Sequence, residues 1–192
     1  MISIIKYNAG NITSVQNALS RLGCESEVTD DPVKILSADK VIFPGVGEAS
    51  TAMQYLRDKK LDETIRQIQN PFLGICLGLQ LMCTHSEEGD TDCLSIFDVK
   101  VRQFPPKEKV PHMGWNNLST ANGKILKNIS TEDDLYYVHS YYAELNNETI
   151  GVCDYILPFS AVMQKNNYYA TQFHPEKSAD KGSIILQNFI NL

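Results

Sequence analysis

A chain of 192 residues, 43% hydrophobic and 21% charged, has the size and make-up of one soluble globular domain with a proper core, here taken as residues 1–192. Its net charge of −6 comes with no basic block, which argues against nucleic acid as the main partner, since phosphate binding draws on clustered Lys and Arg. No apolar run is long enough to cross a bilayer, and residues 1–7 lack the basic and apolar regions of a signal peptide, so neither membrane nor export is expected.

The first half alternates strands and helices. Residues 2–7 read as a buried strand, and Asn8-Ala9-Gly10-Asn11 as a turn. A helix follows with Val15, Leu19 and Leu22 on one face and Gly23 as its stop. Residues 25–29 form a short strand, punctuated by Asp30-Asp31-Pro32, and residues 40–43 a buried strand ending at Pro44. Residues 49–59 and 61–69 read as helical. A further apolar strand starts at Phe72, and a helix starts at Gln80. Such alternation implies a parallel sheet with helices on both faces, with ligands at the carboxyl ends of the strands. The second half changes character. Residues 99–104, 135–144, 150–156 and 161–173 are rich in aromatic and β-branched residues, with a hairpin turn at Asn166-Asn167. They predict an antiparallel extension of the sheet, closed by a helix over 181–192.

The chemistry concentrates in two stretches. In Gly74-Ile75-Cys76-Leu77-Gly78, a strand turns sharply into a helix between two glycines, the geometry of a nucleophile elbow. The turn sets Cys76 at a helix N-terminus, where free N–H groups and the helix dipole favour a nucleophilic thiolate. On this pattern alone Cys76 reads equally well as a buried cysteine between packing glycines. The second stretch, His174-Pro175-Glu176, decides between them. Read as extended, it points His174 and Glu176 the same way, giving a base and its orienting carboxylate.

The other candidates carry less on their own. His112 and His139 have no carboxylate two residues away, and His139 reads as structural. His85 reads as a cap or surface residue, and Cys83 as core. Pro44-Gly45-Val46-Gly47 alone does not exceed an ordinary strand-to-helix turn. Glu87 and Glu88 alone read as a solvated loop, Tyr141 as a core aromatic, and Trp115 equally as a core anchor or an interface hot spot. Cys24, Cys76, Cys83, Cys93 and Cys153 show no CxxC pair, which predicts reduced thiols in a cytoplasmic protein. No paired Cys or His spacing suggests zinc, and neither G-x-G-x-x-G nor a P-loop is present, so no metal or cofactor is expected.

Taken together, Pro44-Gly45-Val46-Gly47, the Cys76 elbow, Pro111-His112-Met113-Gly114-Trp115-Asn116, His139-Ser140-Tyr141 and the run Gln172 to Ser178 resemble the class I (triad) glutamine amidotransferases over nearly the whole chain. The segment around Trp115 is most similar to the branch that supplies ammonia to imidazole glycerol phosphate synthase in histidine biosynthesis. The resemblance implies a flavodoxin-like α/β fold and a Cys76–His174–Glu176 triad that hydrolyses L-glutamine. It implies an oxyanion hole from the Val46 and Leu77 N–H groups, and glutamine contacts from Gly47, Gln80, Glu88, Ser140 and Tyr141. It also implies a heterodimer with a (β/α)8-barrel cyclase, met through Asn11, Trp115, Tyr136 and Lys177. A peptide flanked by the glycines of residues 44–47 can rotate, turning Val46 C=O or Val46 N–H toward the site. Another triad amidotransferase, a cysteine peptidase or related hydrolase with a similar elbow, and a scaffold with an idle triad are the competing readings.

Overall fold

The computed structural model describes residues 1–8 and 11–192, so Ala9 and Gly10 of the expected turn lie outside the described residues. The first half runs β1 (Ile2–Ile5), α1 (Ile12–Arg21), β2 (Ser26–Thr29), α2 (Pro32–Ser37), β3 (Lys40–Phe43), α3 (Ala49–Asp58), α4 (Leu61–Gln67), β4 (Phe72–Ile75) and α5 (Leu77–Met82). The second half is strand-rich: β5 (His85–Ser86), β6 (Thr91–Asp92), β7 (Lys100–Gln103), β8 (His112–Asn116), β9 (Thr120–Ala121), β10 (Leu135–His139), β11 (Tyr141–Ala143), β12 (Thr149–Tyr155), β13 (Leu157–Lys165) and β14 (Tyr168–Thr171). The chain closes with α6 (Ala179–Ile190).

Eight strands form the main sheet in the order β2-β1-β3-β4-β14-β13-β12-β9. The pairings from β2 to β14 are parallel, and those from β14 to β9 antiparallel. This is the mixed α/β fold expected, a parallel centre with an antiparallel extension. Strand alternation separates two cores. Ile5, Val41, Phe43 and Phe72 face one core with α2 to α5, while Ile4, Ile42, Leu73 and Ile75 face the other with α1 and α6. The antiparallel hairpin turns where expected, with Lys165 opposite Tyr168 and Asn166 in a left-handed conformation, φ 54°.

Three local readings need correcting. Residues 99–104 and 135–144 do not join the main sheet. They form a two-stranded sheet, β10-β8, and a four-stranded sheet, β11-β7-β5-β6. The chain breaks at Ser140 between β10 and β11, and Tyr137 and His139 of β10 stack edge-on against Phe159 of the main sheet. Helix α2 has no counterpart in the sequence reading: Asp31 accepts from Val33 N at 2.9 Å and Pro32 fills the first position, a cap and start too short to show periodicity. Helix α5 starts at Leu77, three residues before the expected start, because the elbow passes straight from strand into helix.

Candidate active site

The elbow is held by close backbone approach. Cys76 has φ 53° and ψ −105°, a conformation side chains rarely adopt, and its N–H donates to Thr171 C=O at 2.7 Å. A Cβ on Gly78 would fall 2.2 Å from the Phe43 carbonyl oxygen, and one on Gly74 would fall 2.4 Å from Met82 Sδ. Gly78 thus allows α5 to lie directly on the end of β3. Gly78→Ala is expected to destabilise the fold by about 1–3 kcal/mol through overpacking. A thermal melt unchanged from wild type would contradict that reading of the elbow.

His174 and Glu176 meet as a pair at the end of β14, though not in an extended segment. Pro175–Lys177 is a turn of 3-10 helix, started by the proline and closed by Lys177 N–H donating to His174 C=O at 3.0 Å. His174 is fully buried, and its Nδ1 is 2.8 Å from Glu176 Oε1. The backbone around it is pinned. His174 N–H donates to Tyr136 C=O at 2.9 Å, and Ser178 Oγ donates to His174 C=O at 2.6 Å while accepting from Tyr136 N–H. His174 Nε2 and Glu176 Oε2 are buried without a formed hydrogen bond. Burial alone pulls the imidazole down. The charge of Cys76, followed by the hydrogen bond to Glu176, outweighs burial and raises His174 to about 10. The arrangement therefore favours an imidazolium beside the sulfur. Cys83, Cys93 and Cys153 lie in apolar surroundings instead. Burial raises Cys83 well above its usual range, and the other two to about 12.

Cys76 opens on a cavity of about 290 Å³. Val46, Gly47, Leu77, Gln80, Glu88, Ser140 and Tyr141 all line it, so one space brings together every residue proposed for the oxyanion hole and for glutamine. Gln80 commits both amide hydrogens to the protein, donating to Tyr141 C=O at 2.9 Å and Gln172 Oε1 at 3.1 Å, so only its oxygen is left for a ligand. Glu88 is steadied by Ala49 N–H at 2.8 Å, and partial burial raises its pKa. A larger open groove of about 750 Å³ beside Met1, Cys24 and Glu27 has no comparable convergence of groups.

The two oxyanion donors do not converge in this conformation. Leu77 N–H donates to Gly45 C=O at 3.3 Å. Gly45 C=O and Val46 N–H belong to one planar trans peptide and point in opposite directions, so Val46 N–H is turned away from Leu77. The carbonyl that alternates with Val46 N–H is therefore that of Gly45, not that of Val46. Just before this peptide, the buried Tyr7 hydroxyl donates to Pro44 C=O at 2.5 Å. A Cβ on Gly45 would meet that hydroxyl at 2.3 Å.

The remaining histidines have other work. His139 Nδ1 is 2.7 Å from Tyr141 C=O, so it carries the proton. Its Nε2 then accepts from His112 Nδ1 at 3.0 Å, and His112 Nε2 accepts from Asn116 Nδ2 at 3.3 Å. Burial depresses His112 to about 4 and His139 to about 3, so both are neutral structural links. His85 lies in β5 between Asp90 and Asp92 at 3.2 and 3.1 Å.

Of the proposed partner residues, Trp115 is 54% exposed beside Met113 at 59%. Trp115 pairs across from Tyr136 with ring centroids 5.7 Å apart, and Lys177 is exposed beside Glu176. Asn11 differs. It is half-buried at the start of α1, caps nothing, and its Nδ2 donates to Glu176 Oε1. Sequence reasoning missed that contact, along with the roles of Tyr7 and Gln172.

The sequence model of glutamine amidotransferase class-I matches residues 3–192. The chain belongs to the class I glutamine amidotransferase family. It is 53% identical to the imidazole glycerol phosphate synthase subunit HisH of Bacteroides thetaiotaomicron, over 100% of this chain and 99% of that one. The HisH subunit of Pasteurella multocida is 46% identical, over 98% and 96%. Within the amidotransferase family the chain thus falls among the HisH subunits. Among solved structures, a GMP synthase-type protein from Thermoplasma acidophilum superposes with TM-score 0.76 at 20% identity, covering 100% of this chain and 92% of that one. PurLQS from Thermotoga maritima superposes with TM-score 0.71 at 15% identity, covering 99% and 97%. At those identities the amidotransferase likeness is one of fold.

Proposed function

We propose that the chain is the glutaminase subunit of an imidazole glycerol phosphate synthase, with residues 1–192 acting as one glutaminase domain. The observation that carries this reading is the buried Cys76 on a cavity of about 290 Å³, together with the buried His174–Glu176 pair 2.8 Å apart. Relatives that match the chain end to end are named as subunits of that synthase, which supports the choice among amidotransferases.

Cys76 thiolate attacks the side-chain carbonyl carbon of L-glutamine. The negative charge passes to the amide oxygen, and His174 gives its proton to the departing ammonia. Glu176 keeps His174 in the tautomer with Nδ1–H toward the carboxylate, so Nε2 serves the sulfur and the leaving group. Water, deprotonated by His174, then hydrolyses the γ-glutamyl thioester to glutamate. Gly47, Gln80, Glu88, Ser140 and Tyr141 hold the substrate, with Glu88 taking its ammonium. Ammonia passes to a separate (β/α)8-barrel cyclase. There it reacts with a phosphoribulosyl-type aminoimidazole carboxamide ribonucleotide to give imidazole glycerol phosphate and aminoimidazole carboxamide ribonucleotide. Trp115, Tyr136 and Lys177 form the face that meets the cyclase in a heterodimer.

The test is covalent. A diazo-ketone analogue of glutamine should label Cys76 alone and leave Cys24, Cys83, Cys93 and Cys153 intact, read by peptide mass spectrometry. Labelling elsewhere with Cys76 untouched defeats the assignment.

A further inference from the structure

Gln172 is fully buried, and its amide has one possible orientation. Oε1 accepts from Gln80 Nε2 at 3.1 Å. The other prong, Nε2, therefore points the opposite way, and there it donates to Cys76 Sγ at 3.6 Å. Both ends of this arrangement are tied down. Gln80 is anchored on Tyr141 C=O at 2.9 Å, and Gln172 N–H donates to Ala161 C=O at 2.8 Å. Opposite stands Val138 C=O, 3.8 Å from Sγ. That carbonyl serves only a sulfur carrying its proton. The amide N–H serves the thiolate best, because a hydrogen bond to an ionised acceptor is about twice as strong as a neutral one.

We propose that Gln172 is a further catalytic residue of the glutaminase, whose side-chain amide, aimed by Gln80, donates to the Cys76 sulfur and sustains its thiolate. The charge flow defines when it acts. When the proton passes from Sγ to His174 Nε2, a full negative charge appears on a buried sulfur beside the imidazolium, and a thiolate can accept from a further donor as well. Leu77 N–H is engaged by Gly45 C=O in this conformation, so Gln172 stands as a fixed side-chain donor facing the sulfur in addition to His174. As the S–C bond forms, the charge moves to the amide oxygen of the substrate, and the bond to Gln172 weakens to an ordinary one. Gln172 thus sets how much thiolate is present, and its signature is a pH profile.

The proposal rests on Cys76 as the nucleophile, and one experiment separates the two. Iodoacetamide alkylation of Cys76 in the full chain is followed across pH by peptide mass spectrometry, for wild type, Gln172→Met and Gln172→Glu. Gln172→Met, which fills the apolar space without a donor, should move the pH midpoint of alkylation up by about one unit. Gln172→Glu keeps the size and the acceptor for Gln80 but sets a carboxylate against the sulfur, so it should move the midpoint further. A purely packing role predicts the wild-type midpoint in Gln172→Met, and that result overturns the proposal. Should the methionine variant not fold, an unchanged midpoint in Gln172→Glu overturns it as well, because a carboxylate in the donor's place would have to disturb the thiolate. A wild-type Cys76 that reacts no faster than the half-exposed Cys24 defeats the nucleophile itself. A fast wild type with unshifted variants defeats only the role of Gln172.

Discussion

In the complex with a cyclase partner, His174→Ala is expected to lower glutamate release on the order of 10⁴-fold or more, the scale at which loss of a triad base acts. Cys76→Ala should abolish glutamine use and leave synthesis from added ammonia intact, because the acceptor chemistry belongs to the partner. Glu176→Gln should cost less than His174→Ala. Asn11 would still face position 176, and His174 would keep its backbone contacts to Tyr136 and Ser178. The double variant of His174 and Glu176 should be far from additive, since triad members act as a unit. The pH dependence has a defined sign. His174 is raised to about 10, so the proton destined for ammonia is held below that pH and lost above it. The alkaline limb of kcat/KM should fall near 10 and move down in Glu176→Gln, because Glu176 helps hold the proton. Additive losses, or an alkaline limb that Glu176→Gln leaves in place, would mean that the two residues work independently.

Strands β3 and β4 were legible because each is a short apolar run with a marked end, one at Pro44 and the other at the glycine-framed Cys76. Phe43 to Pro44 and Ile75 to Cys76 mark where two such runs stop, and the carboxyl-end rule then put the two loops at one site. What strand-like composition does not carry is which sheet a strand joins. Residues 135–144 are as aromatic as a strand of the main sheet would be, yet β10 pairs with β8 and β11 with β7. The partner choice is made by long-range packing onto Phe159, which no local pattern records.

The proposed triad was legible because its members sit in patterned stretches: the cysteine between glycines, and the histidine two residues from its carboxylate. The supporting shell was not, because it is built from pairs far apart in the chain. Tyr7 reaches Pro44, Asn11 reaches Glu176 and Gln172 reaches Cys76 across 37, 165 and 96 residues. Asn11 reads in the sequence as the end of a turn and as a partner residue, and only the fold shows its side chain reaching the glutamate. The direction of the Gly45–Val46 peptide is likewise invisible in Pro44-Gly45-Val46-Gly47, since glycine permits either orientation.

That peptide carries the second large expected effect. The isolated chain should hydrolyse glutamine hardly at all, and activity should rise by orders of magnitude only when the cyclase partner and its acceptor are both present. In this conformation Gly45 C=O occupies Leu77 N–H, so an oxyanion would find neither donor. One removed donor costs about 3–4 kcal/mol of transition-state stabilisation in well-studied hydrolases. Rotation of the single peptide between Gly45 and Val46 would free Leu77 N–H and bring Val46 N–H beside it. Tyr7 holds Pro44 C=O at 2.5 Å, which confines the movement to the residues after it. Taking such an equilibrium from 1:99 to 99:1 needs about 5.5 kcal/mol of differential binding, within reach of an interface anchored by an exposed aromatic. Trp115 is suited to anchor that interface. It packs against Tyr136, whose carbonyl holds His174 N–H at 2.9 Å. Trp115→Ala should therefore weaken activation by the partner while leaving the Cys76 alkylation rate of the free chain nearly unchanged, because the sulfur's own neighbours are untouched. An isolated chain that hydrolyses glutamine at the rate of the full complex would show that the hole forms without the partner, and the rotation would then have no part in coupling.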